Sequence, residues 1–196
     1  MLAELGEAAL DDSPRGTAAF GLCVVALEHW ASLRALMALE LATSAVSLMR
    51  LRFEALTRAM WLIYVGHYLS IAKLLAPLSA QSEQAAKGLP NVNEMIGQLG
   101  KRVGQGVPAG AHLMLVRFKD ATWNTMNSFV HSGIHPLRHA NEGFPMDLAL
   151  QVVRHGNGLA TMTGMTLAIL AGDEGIASRM SKIQPAFADC LPDLVD

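Results

Sequence analysis

The amino-acid sequence predicts an all-α protein, a multi-helix bundle, and three observations carry that prediction. Ala, Leu and Met dominate the 196 residues, while alternating β-branched runs are missing. Apolar positions recur at steps of three and four, as in Met49, Phe53, Leu56, Met60 and Ile63. Prolines and glycines fall between the periodic stretches and divide the chain into roughly six to eight helices with short connections.

Ser13 and Pro14 offer a capping hydroxyl followed by proline at the first helical position. They start a helix that runs to about Leu41. Thr43 or Ser44 restarts the helix after a short break, and this second helix reaches about Gly66. A break at His67 precedes a continuation to Leu75, which Pro77 ends. Residues 81–87 form one or two turns. Gly88, Leu89 and Pro90 make a turn, and Asn91 or Asn93 caps a short helix to about Val103. The glycine-rich segment 104–110 (GQGVPAG) is the clearest loop. A long helix follows from about Ala111 to His131, with Ser132 and Gly133 as its stop. Residues 135–145 read as irregular. Pro145 opens another helix to about Ala171, which Gly172 and Asp173 break. Asp173 caps a shorter helix to about Ile183, and Pro185 begins a loosely ordered tail. The length fits one domain over 1–196, with 1–12 and 185–196 peripheral.

Hydrophobic residues make up 52% of the chain and charged residues only 16%, so an excess of apolar surface must be covered. The charge-free stretches 59–72 and 156–172 fall short of the roughly 20 residues of a bilayer helix and contain polar residues. No membrane association is expected from them. Helices buried on more than one side, partly in a subunit interface, account better for the excess and imply a homodimer or higher homo-oligomer. The acidic N-terminus lacks a basic segment followed by an apolar run and does not read as a secretory signal. Cys23 and Cys190 lie far apart without CxxC company, which gives no disulfide framework and no zinc site. The expected compartment is the cytoplasm. A net charge of −2 does not support nucleic-acid binding through many phosphates, although a local basic patch stays open.

Chemistry gathers in two places. On the second helix a narrow stripe of Arg50, Glu54 and Arg58, spaced i, i+4, i+8, lies between apolar flanks with Trp61 beside it. In a structural reading Glu54 pairs with both arginines. In a functional reading Arg50 or Arg58 faces an anion in a polar pocket. Arg52 points away from the stripe and reads as an ordinary surface or interface residue. On the long helix, Arg117, Asp120, Asn124, Asn127, Ser128 and His131 share one face, opposite Val116, Trp123, Met126 and Val130. That face ends in Asn and His and runs into a segment holding His135, Arg138 and His139. The three histidines are spaced by four and would share a face on one continuous helix. Gly133 and Pro136 interrupt it, and no cysteine or carboxylate pair completes a ligand set, so no metal and no cofactor is expected. His29 and His67 read as satisfied core or boundary residues, and the eleven methionines as core filler. GQGVPAG has no preceding strand and no GK[ST] ending, so it is not a phosphate loop.

The stretches 48–65 (LMRLRFEALTRAMWLIYV), 85–95 (AAKGLPNVNEM) and 117–145 (RFKDATWNTMNSFVHSGIHPLRHANEGFP) resemble an uncharacterised family of bacterial helical proteins. RFEALTRAMWL and NSFVHSGIHP are the most specific parts, and the resemblance covers about 20–172. It implies a cytoplasmic α-helical protein and adds no reaction. A more distant likeness is to HEPN domains, helical bundles that are often dimeric and often ribonucleases of defence or toxin–antitoxin systems. Their motif is an Arg, usually followed by Asn, then a His several residues on, near a helix end. Asn127, His131 and Gly133 match it, but Met126 stands where the catalytic Arg belongs. The cation expected at the scissile phosphate is then absent from the motif. Arg58, Arg138 or Arg154 would have to supply it, from elsewhere in the fold or across a dimer.

His131, Asn127, Glu54 and Arg58 are therefore the catalytic candidates, and Arg50, Asn124, His135 and Arg138 the binding candidates. Two functions follow. The first is a non-enzymatic oligomeric scaffold or binding module, favoured by the missing Arg and the lack of basic charge. The second is a HEPN-like ribonuclease or defence or toxin component with an atypical active site. A shared site requires Glu54, Arg58, Asn127 and His131 around one cavity.

Overall fold

The computed structural model describes residues 11–172 and 174–192. Among these the regular elements are helices, with one isolated bridge between Val103 and Val107. Helix α1 (Pro14–Ala38) begins at Ser13, whose Oγ accepts from the Gly16 N–H at 3.1 Å. The chain turns through Leu39 and Glu40, the latter at φ 60°, and enters α2 (Ala42–Tyr64). The two long helices form the most extensive pair in the fold.

Three short elements follow from local capping chemistry. His67 caps α3 (Tyr68–Leu75) by accepting from the Leu69 N–H through Nδ1, so it is an exposed capping group and not a core histidine. Ser79 caps α4 (Ala80–Ala86), and Asn91 with Glu94 forms a reciprocal capping box at α5 (Val92–Gly100). Helix α6 (Ala109–Val130) packs along α2.

Most of the stretch 135–145, expected to be irregular, belongs to a helix, α7 (Ile134–Glu142). Pro136 is its third residue. At that position the missing N–H is one that a helix leaves unbonded anyway, so proline costs no hydrogen bond. Gly143, at φ 88°, ends the helix. Helix α8 (Met146–Ala171) then crosses α1 and α2 and stops at Gly172, at φ 64°. Helix α9 (Glu174–Ser181) returns along α8, followed by α10 (Ile183–Ala186) and a 3-10 turn over Ala188–Cys190.

Of the expected loose tail, residues 185–190 are exposed, while its end is tied to the bundle. Leu191 is buried, and the Asn157 amide donates to the Cys190 carbonyl at 2.7 Å. The expected cap Asp173, the segment 1–10 and residues 193–196 lie outside the described residues.

Helix α2 is the centre of the molecule, touching α1, α5, α6 and α8. Its Met49, Phe53, Leu56 and Met60 are buried with Leu33 of α1, Met95 and Leu99 of α5, Leu115 and Phe129 of α6, and Leu159 of α8. Surrounded on so many sides, α2 buries Arg52 completely, which corrects its expected surface position. Its neighbour Leu51, by contrast, is 42% exposed. Among the described residues the helix long and apolar enough to cross a bilayer, by length and composition, is α1, not the stretch 59–72 or 156–172.

Candidate functional site

Two ends of the sequence pattern meet where α2 passes the C-terminal turns of α6. Arg50 lies on the side of α2 that meets α6, and Glu54 stands one turn on. Their geometry is favourable for an i, i+4 pair: Arg50 Nε donates to Glu54 Oε1 at 2.8 Å, with side chains 20% and 28% exposed. The guanidinium carbon lies 5.0 Å from the centre of the Trp123 ring, and Nη1 sits 3.1 Å from His131 Nε2. Trp123, Asn127 and His131 recur at steps of four, so one face of α6 passes beneath a single arginine.

This corner is firmly supported from below. Phe53 meets the Trp123 ring edge-on at 6.4 Å and the Phe118 ring at 4.8 Å. Glu54 fixes the guanidinium from one side while Trp123 attracts its cation from below. Arginine offers only donors, so His131 Nε2 accepts in this arrangement and the ring proton stands on Nδ1. Arg50 Nη2 makes no hydrogen bond and is not sealed from solvent. The corner thus keeps one unspent donor, Arg50 Nη2, open to solvent. Asn127 lies between Trp123 and His131 with its Oδ1 buried and without a partner.

The structure therefore joins Arg50, Glu54 and His131, with Asn127 on the same face, and leaves other candidates out. Glu54 pairs with Arg50 alone. Among the described residues Arg58 forms no ion pair, and its Nε is buried without a partner, which corrects the expectation that Glu54 bridges both arginines. Asn124 is exposed and makes no hydrogen bond to this group. His135 and Arg138 belong to α7, on a separate open depression of about 460 Å³ that His139 and Glu142 also line. There Arg138 spends its Nε on Glu142 at 2.8 Å, an exposed pair, and the hydrogen bond to Glu142 raises its pKa further. His135 and His139 stack on Phe129, at 6.2 and 5.9 Å, while His131 reaches Arg50. The three histidines do not share a face, and no group of three or more metal-ligating side chains occurs among the described residues.

Three features were not foreseen. Trp123, assigned to the core face, is the platform of the cluster. Its i, i+4, i+8 spacing with Asn127 and His131 was the available signal. Arg52, two residues from Arg50, is fully buried; its guanidinium carbon lies 4.8 Å from the Trp30 ring centre and Nη1 donates to the Gly156 carbonyl at 2.6 Å. Burial pushes its pKa down to about 9, which still leaves it a cation at neutral pH. Third, five of the methionines (Met60, Met114, Met162, Met165 and Met180) line a largely apolar cavity of about 350 Å³ with Tyr64 at its edge.

No curated protein and no solved structure matches the chain. A family model does: the one described as a family of unknown function, DUF6988, aligns with residues 23–193. That span takes in α2, α6 and the whole Arg50–His131 corner, and the chain belongs to this family.

Proposed function

We propose that the chain is a non-enzymatic binding module, an oligomer of one polypeptide, that grips an anionic group of its ligand at the Arg50–His131 corner. The observation that carries this reading is Arg50 itself. It is oriented by Glu54, stacked on Trp123 and within hydrogen-bond distance of His131, 81 residues away, with Nη2 still unspent. A guanidinium held in this way loses little side-chain freedom when it takes up a carboxylate or phosphate oxygen. The reading takes the protein as a cytoplasmic one of bacterial type, in keeping with the sequence resemblance.

A ribonuclease of HEPN-like design is the second reading, and one observation favours it. The cation that Met126 cannot provide stands beside His131 after all, supplied by Arg50 and not by Arg58, Arg138 or Arg154. Against it, Met126 is 2% exposed and His131 Nε2 is engaged by the cation. A base must have its nitrogen free to take a proton from the attacking hydroxyl.

Purified protein incubated with RNA, with and without divalent metal, separates the two. Binding-module chemistry predicts no cleavage that depends on His131 or Arg50. Cleavage that is abolished in both His131→Ala and Arg50→Ala would replace it with the ribonuclease.

A further inference from the structure

Helix α1 turns one apolar face away from the bundle. Phe20, Val24, Ala31, Ala35 and Ala38 follow each other at helical spacing and are all exposed. Only 17% of the most apolar window of this helix is buried. A helix this apolar, left uncovered over most of its length, calls for a second surface.

Two opposite charges lie within the same face. Glu28 and Arg34 are exposed, and neither forms an ion pair within the described chain. Each stands three residues from Ala31, on opposite sides of it. Arg34 is also steadied, its guanidinium carbon 5.7 Å from the Trp30 ring centre. A bilayer is a poor occupant, because it would take a carboxylate and a guanidinium into hydrocarbon near the middle of the helix. A second α1, crossing antiparallel with its centre at Ala31, meets the pattern. Glu28 of one copy then stands level with Arg34 of the other, since both lie about 4.5 Å of helical rise from the crossing point. Two-fold symmetry repeats the pair. Ala31 lets the backbones approach closely between the two pairs, and Ala35 and Ala38 do so beyond them.

We propose that a second copy of this chain docks on this face, α1 against α1, with reciprocal Glu28–Arg34 ion pairs setting the register. This rests on the oligomeric half of the function proposed above and is independent of the Arg50 corner. The oligomeric state of the full chain, read by analytical ultracentrifugation, tests it. The wild type sediments as a dimer. Glu28→Arg and Arg34→Glu each weaken dimerisation by about tenfold or more, because like charges then face each other twice. The double exchange Glu28→Arg with Arg34→Glu restores it, which a merely destabilised fold would not allow, and far-UV circular dichroism checks the helical content of each variant.

A monomeric wild type would remove both the interface and the oligomer. An oligomer that survives the single reversals, or that the double exchange fails to restore, overturns the α1 interface alone. Co-sedimentation of the wild type with phosphatidylcholine–phosphatidylglycerol vesicles, at the expense of the dimer, would hand the face to a membrane and equally overturn the proposal.

Discussion

Arg50 and Arg52 sit two residues apart on α2 and meet opposite surroundings. Arg50 lies on Trp123, shares its Nε with a carboxylate and keeps Nη2 open to water. Arg52 lies on Trp30, has no carboxylate, donates once to a carbonyl and leaves Nε and Nη2 buried without partners. Both use an indole face, so the cation–π contact alone does not separate them. The difference is solvent and counter-charge. A partly exposed, paired arginine can exchange water for a ligand at small cost, whereas a sealed one is part of the core and its charge is a liability. Function is therefore to be sought at Arg50 and fold stability at Arg52.

The largest effect expected from breaking this comparison is at Arg52. Arg52→Ala removes a large, fully buried side chain and frees the Gly156 carbonyl, a loss of about 3 kcal/mol in urea unfolding. Arg52→Met keeps most of the volume and removes the unpaired charge, so its loss stays below about 1.5 kcal/mol. A Met variant as damaged as the Ala variant would show that the guanidinium bond, not packing, holds this site.

Gly156→Ala comes next. A Cβ there would overlap the Trp30 ring, which has Arg52 on its face and cannot move freely. A loss of about 2 kcal/mol is expected from such overpacking, and a fully stable variant would mean that Trp30 has room to shift.

Arg50→Ala is expected to cost only about 1 kcal/mol, the worth of a partly exposed pair with one cation–π contact. A stability loss equal to that of Arg52→Ala would erase the distinction between the two arginines.

The smallest effect is a pH dependence away from both. Burial lowers the pKa of His155, whose ring meets Phe118 edge-on at 5.9 Å. The folded protein therefore takes this proton later than the unfolded chain, and stability falls as pH drops below the ordinary histidine value of 6.5. Comparing unfolding of the wild type with His155→Gln between pH 7 and pH 5 isolates that slope. Parallel curves for the two proteins would rule His155 out as its source.

Local signals made the long helices legible. Ser13 with Pro14, Asn91 (with Asn93 as the alternative) and Gly172 each mark an end through local chemistry, and the structure places the ends there or nearby. Helix α7 was missed because Pro136 reads as a breaker unless its place in the first turn is known. Arg52 was misplaced for a different reason. One face of α2 can be read from periodicity, but its enclosure on several sides depends on where α1, α5, α6 and α8 pack. The candidate site was half legible: Arg50, Glu54, Asn127 and His131 stood out by type and spacing. Their meeting depends on how α2 and α6 align, which no local pattern states, so Arg58 stood where Arg50 belongs and Trp123 passed as core.

The most direct test of the central claim follows both arginines at once. In ¹⁵N-labelled protein, the Nε–H resonances of Arg50 and Arg52, assigned through Arg50→Lys and Arg52→Lys variants, are recorded while inorganic phosphate is titrated at constant ionic strength. An anion-binding corner at Arg50 predicts a saturable shift of its signal, lost in His131→Ala or reduced there, with Arg52 unmoved. A silent Arg50, or a shift at Arg52 instead, would contradict it.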